Sequence, residues 1–286
     1  YDDPSNGVMP KPRDLPVLEQ YPDGQTLPTP SAVDFEPGEL LGCVSGELGL
    51  RKFLEDNGHE LVVTSDKDGE GCTADKELVD ADVVISQPFW PYYLTREKIE
   101  SAPNLKMAIT AGIGSDHVDL QAAIDNNVEV MEVTYCNSRS VAEHIVMMIL
   151  ALVRDYHTQH KIVNEGGWNI ADAVSKSYDL EGMNVGTVAA GRIGLDALKK
   201  LKAFDVKLHY FDKHRLPAEV EEEVGLTYHD SVESLVQTCE VVTINCPLHP
   251  ETEGLFNKEL IAQMKHGSYI VNTARGKICD RQAIVD

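Results

Sequence analysis

Apolar and polar positions along the chain set out a regular alternation of strands and helices from about Leu40 onward. Leu48 to Asn57 has helical spacing, with Gly58 placed to end it, and Glu60 to Thr64 reads as a strand. The pattern then predicts a strand at Asp82 to Ser86, a helix at Arg96 to Ser101 and a strand at Leu105 to Thr110. A helix at Leu120 to Asn126 and a strand at Val128 to Val133 follow. The longest helical segment is Ser140 to Tyr156, where Ser140 and Glu143 have the spacing of a capping box. Its apolar residues run almost all round, which predicts burial on several sides, between two domains or in a subunit contact. A second series follows, with strands at Asn184 to Val188, Lys207 to Phe211, Val241 to Ile244 and Tyr269 to Val271. Strands alternating with helices imply parallel sheets covered on both faces, an α/β fold. Residues 1–37 lack this periodicity and hold eight of the 14 prolines, the pattern of an extended surface loop.

A length of 286 residues suggests two domains. The formal charge of −22 argues against nucleic acid or an anionic membrane as partner, because both are bound through basic patches. The longest apolar run, Ile145 to Val153, is too short to span a bilayer. Six cysteines with no C-x-x-C pair fit a reducing cytoplasm better than a disulfide framework, and the ten histidines show no metal-binding spacing.

The strand Asn184 to Val188 runs through Ala189-Ala190-Gly191-Arg192-Ile193-Gly194 into a helical pattern, and the next strand ends at Asp212. Strand, glycine turn, helix, strand and acid in one unit is the context in which a dinucleotide-binding fingerprint becomes credible. Gly191 permits close approach of a pyrophosphate, Gly194 close packing of helix on strand, and the helix N-terminus offers N–H groups to phosphate. Asp212 stands where a carboxylate accepts the ribose hydroxyls and repels a 2′-phosphate, so NAD is the expected cofactor. Ala189 replaces the first glycine of the usual triplet.

Ligands in such sheets bind beyond the carboxyl ends of the strands. Arg275 follows the strand ending at Val271, where a guanidinium can hold a carboxylate by two parallel hydrogen bonds or simply pair with a nearby acid. Gly112 and Gly114 follow the strand ending at Thr110. They admit a small ligand or make an ordinary strand-to-helix turn capped by Ser115 or Asp116. Asn137 offers an amide donor before the long helix, Pro88-Phe89 a rigid pocket wall, and Cys246 reads as a packed, inert thiol.

These motifs resemble the NAD-dependent formate dehydrogenases of the D-2-hydroxyacid dehydrogenase superfamily. The resemblance runs from Glu39 onward and is carried by Gln87-Pro88-Phe89-Trp90-Pro91, Thr110 to Leu120, Gly186 to Gly194, Asn245 to Thr252 and Asn272 to Lys277. It implies two Rossmann-like or flavodoxin-like parallel-sheet domains with a cleft between them. A substrate domain would take residues 1–137 and an NAD-binding domain residues 138–286. It further implies that Arg275 and Asn137 bind formate with help from the Ile113 N–H, and that Pro88 and Phe89 wall the pocket. Ala189, Gly191, Arg192, Ile193, Gly194, Asp212, Pro247, His249 and Thr273 would line the cofactor. A cytoplasmic homodimer is implied as well. The resemblance also places a catalytic histidine, its glutamine partner and an aspartate beyond Asp286. The chain is therefore expected to be a fragment, with an incomplete second domain and no turnover by itself. The alternatives are a 2-hydroxyacid dehydrogenase, which needs a histidine–acid base for the hydroxyl proton, and a non-catalytic NAD-binding protein.

Overall fold

The computed structural model describes residues 54–64, 66–69, 71–86, 91–133 and 137–286. The proline-rich segment 1–37, most of the predicted helix 48–57, Pro88, Phe89 and Tyr135-Cys136 lie outside the described residues. The chain forms two compact units. Among the described residues, one takes those from 54 to 84 with 92–107 and 121–128; the other takes 85, 86, 91, 108–120, 129–133 and 137–286.

The described elements run α1 Thr73–Leu78, β1 Val83–Ser86, α2 Arg96–Glu100, β2 Met107–Thr110, α3 Leu120–Asp125 and β3 Glu129–Glu132. Then come α4 Ser138–Val153, α5 Tyr156–Asn164, α6 Ile170–Val174, β4 Asn184–Val188, α7 Arg192–Leu201 and β5 Lys207–Phe211. The chain continues with α8 Ala218–Val224, β6 Leu226–His229, α9 Val232–Thr238, β7 Val241–Ile244, α10 Lys258–Ile261, β8 Tyr269–Asn272 and α11 Arg281–Val285.

In the first unit Leu78, Leu94, Ile99, Ala102, Leu105, Ala122 and Ala123 are buried. Tyr92 donates to Asp75 at 2.5 Å, and Lys98 reaches the same carboxylate at 2.7 Å. These bonds hold the Asp75 carboxyl below its ordinary range. The strands β1, β2 and β3 form a sheet in that order. Asp82 accepts from Lys106 and Ser86 from Ala111, so β1 and β2 run in the same direction. The expected strand at Glu60 to Thr64 does not form. Residues 60–64 are irregular, and Val62 and Val63 are exposed there rather than facing a core.

The second unit is built on a five-stranded parallel sheet of order β6-β5-β4-β7-β8. β4 lies in the middle, and the connections leave it in opposite directions to β5 and β7. That reversal makes the carboxyl ends of β4 and β7 the place where such sheets bind ligands. One face packs Val185, Leu208 and Tyr210 against Ala142, Ile145, Ile149 and Val153 of α4 and Ala197, Leu198 and Leu201 of α7. The other face packs Val188, Val242 and Ile244 against Val232, Leu235 and Val236 of α9, with Phe256 and Leu260. Gly186 permits that second contact, because a Cβ there would come within 2.7 Å of the Cys239 sulfur and 2.8 Å of Leu235. Burial of α4 is one-sided: Ala142, Ile145, Ile149 and Val153 are sealed, while Met147 is 53% exposed.

The predicted long helix is corrected in two places. Asp155, at φ 50°, breaks it into α4 and α5. Its N-cap is Asn137, without a side-chain cap bond, so Ser140 lies inside the first turn and no Ser140–Glu143 capping box forms.

Candidate active site

The turn after β4 is built tightly. Ala189 donates its N–H to Phe211 at 2.8 Å, and Thr187 Oγ1 donates to the Ala189 carbonyl at 2.9 Å. Asn245, just beyond β7, donates to Thr187 Oγ1 at 2.9 Å and to Thr243 Oγ1 at 3.2 Å, so the ends of β4 and β7 are stitched together. Ala189 adopts φ 73°, the left-handed conformation that favours glycine. Gly194 is enforced by packing, since a Cβ would lie 2.1 Å from the Ala189 carbonyl oxygen. Around Gly191 a Cβ would meet nothing within 4 Å, and α7 begins there with no side-chain cap. The first-turn N–H groups of α7 therefore carry no side-chain cap at an open backbone cradle, the arrangement that receives a phosphate.

Asp212 is fixed from two sides. One carboxylate oxygen accepts from the Ala190 N–H at 2.8 Å and the other from the His214 N–H at 2.9 Å. Each oxygen keeps a further lone pair for a hydroxyl donor. The basic residues that follow are engaged by acids. Arg215 forks onto Glu221 through two 2.9 Å bonds and lies 4.9 Å over the Tyr228 ring, and Lys213 pairs with Glu251. The Arg215 guanidinium is the main reason the Glu221 carboxyl titrates at about 2, with the Tyr210 hydroxyl second.

Beyond β7, Thr252 donates to the Pro247 carbonyl at 2.7 Å and accepts from the His249 N–H at 2.8 Å, closing the Pro247–Thr252 turn on itself. Cys246 is buried and its thiol is pushed up to about 11 by desolvation, an unreactive state at neutral pH. Beyond β8, an open cavity of about 580 Å³ is lined by Asn137, Ser140, Val141 and His144 on one side and Asn272 and Thr273 on the other. Asn137 Oδ1 and Thr273 Oγ1 are buried there without a hydrogen-bond partner in the chain. Such atoms call for a polar ligand group.

Arg275 is the best-held charge of the site. Its Nε donates to Asp116 Oδ1 at 2.9 Å, its Nη2 to the Ile113 carbonyl at 3.0 Å and its Nη1 to the Ala274 carbonyl at 3.1 Å. Three of five guanidinium hydrogens are thereby engaged. The two that remain sit one on each terminal nitrogen, left for a ligand. Gly114, at φ 100°, gives the guanidinium its seat: a Cβ would stand 2.0 Å from Nη2. The neighbouring His117 is buried, and desolvation lowers its pKa, keeping it neutral. Sequence reasoning saw Gly114 and Asp116 as parts of a turn. Their role toward a residue some 160 positions later carried no local signal. Thr273 and Arg275 follow β8, the Ile113 carbonyl accepts from Arg275, and Asn137 lines the cavity beside Thr273; Ala189 to Gly194 follow β4, Asp212 follows β5, and Pro247 and His249 lie beyond β7.

The model for the D-isomer specific 2-hydroxyacid dehydrogenase NAD-binding domain matches residues 146–286. Formate dehydrogenase from Pseudomonas sp. (strain 101) is 66% identical over 287 residues, spanning 99% of this chain and 71% of that protein. The chain belongs to the formate dehydrogenase family. A Granulicella formate dehydrogenase structure superposes with a TM-score of 0.85 at 62% identity, covering 100% of this chain and 76% of the other. NAD-dependent formate dehydrogenase from Staphylococcus aureus in complex with NAD matches at TM-score 0.75 and 45% identity, covering 83% and 69% of the two chains. The chain is an NAD-dependent oxidoreductase by family, and its glycine turn, Asp212 and the open α7 N-terminus fit that dinucleotide. Among the described residues no cluster of three His, Cys, Asp or Glu could hold a metal, and no helix is long and apolar enough to cross a membrane.

Proposed function

We propose that this formate dehydrogenase family member oxidises formate to carbon dioxide by direct hydride transfer, with Arg275 and Asn137 as the groups that hold the substrate. The observation that carries this reading is the donor count on Arg275: a guanidinium anchored on three hydrogens and offering two, one per terminal nitrogen. Bound NAD supplies the hydride acceptor, C4 of the nicotinamide. Formate has no hydroxyl proton, so oxidation needs no general base in the chain, and the protein's work is positioning. Arg275 fixes both oxygens, Asn137 donates its amide, and the Ile113 N–H assists. A pocket closed to water favours a step that annihilates charge, and the sequence assigns that wall to Pro88 and Phe89, which lie outside the described residues. Toward the cofactor, Gly191, Arg192 and Ile193 hold the pyrophosphate, with Ala189 and Gly194 shaping the turn. Asp212 holds the ribose, and Pro247, His249 and Thr273 line the remainder.

In this reading residues 1–137 form the substrate domain and 138–286 the NAD-binding domain. The chain works in the cytoplasm, consistent with free cysteines at 72, 239, 246 and 279. It pairs with a second copy, which would cover Tyr156, Val163, Trp168, Ile170 and Val174, all more than half exposed. Its partners are small molecules and its own copy, with neither nucleic acid nor membrane among them.

The test is Arg275→Ala in the intact enzyme. Loss of a charge-assisted bidentate contact costs about 3 kcal/mol, a fall of at least about a hundredfold in formate-dependent NADH formation. NADH affinity stays within twofold of the parent, measured by fluorescence titration. Near-parental turnover removes Arg275 from the site.

A further inference from the structure

A carboxylate beside an anion-binding arginine is a poor choice on charge alone. It repels the incoming formate and draws off part of the guanidinium's field. The structure nevertheless places Asp116 2.9 Å from Arg275 Nε, with the two side chains only 27% and 23% exposed. We propose that Asp116 is a positioning residue: it accepts the Arg275 Nε–H and so turns the terminal Nη1/Nη2 edge of the guanidinium toward the substrate. The proposal rests on the reading of Arg275 as the formate clamp.

The geometry supports orientation rather than neutralisation. A guanidinium can grip a carboxylate along its Nε/Nη2 edge or along its Nη1/Nη2 edge. Asp116 takes the single Nε hydrogen, which closes the first edge, and the Ile113 carbonyl takes one of the two Nη2 hydrogens. The Ala274 carbonyl takes one Nη1 hydrogen, so one hydrogen is left on each terminal nitrogen for a ligand. Gly114 completes the seat. Its missing Cβ, which would lie 2.0 Å from Nη2, lets the plate lie flat on the backbone, and that same Cβ would be 3.2 Å from Asp116 Oδ1. Asp116 and Arg275 lie 159 residues apart in sequence, so no local turn produces this pairing. Without the Asp116 acceptor the guanidinium rotates about its side-chain torsions. The two edges then interchange, and a carbon–hydrogen bond held on the wrong edge points away from the acceptor.

Two variants separate orientation from charge. Asp116→Asn keeps a neutral acceptor at the same reach, and Asp116→Ala keeps none. In the intact enzyme, formate binding to the protein saturated with NADH, an unreactive pair, is read by NADH fluorescence, beside steady-state kinetics with NAD. We expect Asp116→Ala to weaken formate at least tenfold and to lower kcat, with NADH affinity and melting temperature unchanged. Asp116→Asn should stay within threefold of the parent. In NMR spectra, the Arg275 Nε–H, assigned by its absence in Arg275→Ala, should exchange with solvent faster in the alanine variant than in the asparagine one. Equal tightening of formate in both variants would show a purely electrostatic role and overturn the proposal. So would parental formate affinity with unchanged Nε–H exchange in Asp116→Ala, or a parallel loss of NADH affinity. Formate binding that survives Arg275→Ala overturns the clamp reading itself. Binding lost in Arg275→Ala but untouched in Asp116→Ala overturns only the role of Asp116.

Discussion

Gly191 and Gly194 look equivalent in the motif but should respond oppositely to the same added methyl group. At Gly194 an alanine Cβ would sit 2.1 Å from the Ala189 carbonyl oxygen and 2.8 Å from Thr187 Oγ1. The first of these is backbone, held by the Thr187 hydroxyl and by the bond from the Ala189 N–H to Phe211, so it cannot swing aside. Relieving the clash means moving α7 off the end of β4 by roughly 1 Å, an overpacking cost of about 3 kcal/mol. Alanine's better helix propensity returns about 1 kcal/mol. The net loss of about 2 kcal/mol corresponds to a fall of roughly 4–8 °C in Tm for a unit of this size. At Gly191 the same Cβ meets nothing within 4 Å, and the residue has φ −71°, which any residue adopts. Gly191→Ala should therefore leave the Tm within about 1 °C while filling the space a pyrophosphate needs, weakening NADH more than about tenfold. The assays are thermal unfolding by circular dichroism and NADH titration on both variants. Equal melting temperatures, or an unaltered NADH affinity in Gly191→Ala, would refute this reading of the turn.

Ala189→Gly should raise stability by about 1 kcal/mol in thermal unfolding, because Ala189 holds φ 73° at a conformational cost that glycine does not bear. Asp212→Ser should narrow the preference for NAD over NADP at least tenfold in binding titrations, through lost repulsion. Arg215 and Lys213 stay on Glu221 and Glu251, so absolute NADP affinity should rise little. Stability should fall with pH between 6.5 and 4. His209 is buried, and desolvation, with His229 second, lowers its pKa to about 4 in the fold. It bonds His229 at 3.0 Å and Asn184 at 2.9 Å, and His229 in turn bonds Ser234 at 2.8 Å. The unfolded chain takes up the proton near 6.5 and the folded one does not. The stabilisation, up to about 3 kcal/mol, is thus complete above 6.5 and lost as pH falls toward 4. Urea unfolding at pH 7.5 and 5.0 checks this, and an unchanged midpoint would contradict it.

The unit from Asn184 to Asp212 was legible because its signals are local. A buried strand has an apolar run, a helix has a 3.6-residue period, and a turn that must approach a phosphate has glycine. The same locality placed the strand ends that carry Asn137, Thr273 and Arg275. Where a partner decides the outcome, the chain's own pattern was insufficient. Glu60 to Thr64 has strand-forming residues yet is irregular, and the Ser140–Glu143 spacing lies within a helix already begun at Ser138. The order β6-β5-β4-β7-β8, the buried His209–His229 pair and the Gly114–Asp116–Arg275 seat exist only once distant segments meet. Periodicity records which face of an element turns inward. Which side chain waits on the other side depends on packing between elements, and the spacing along one element does not encode it.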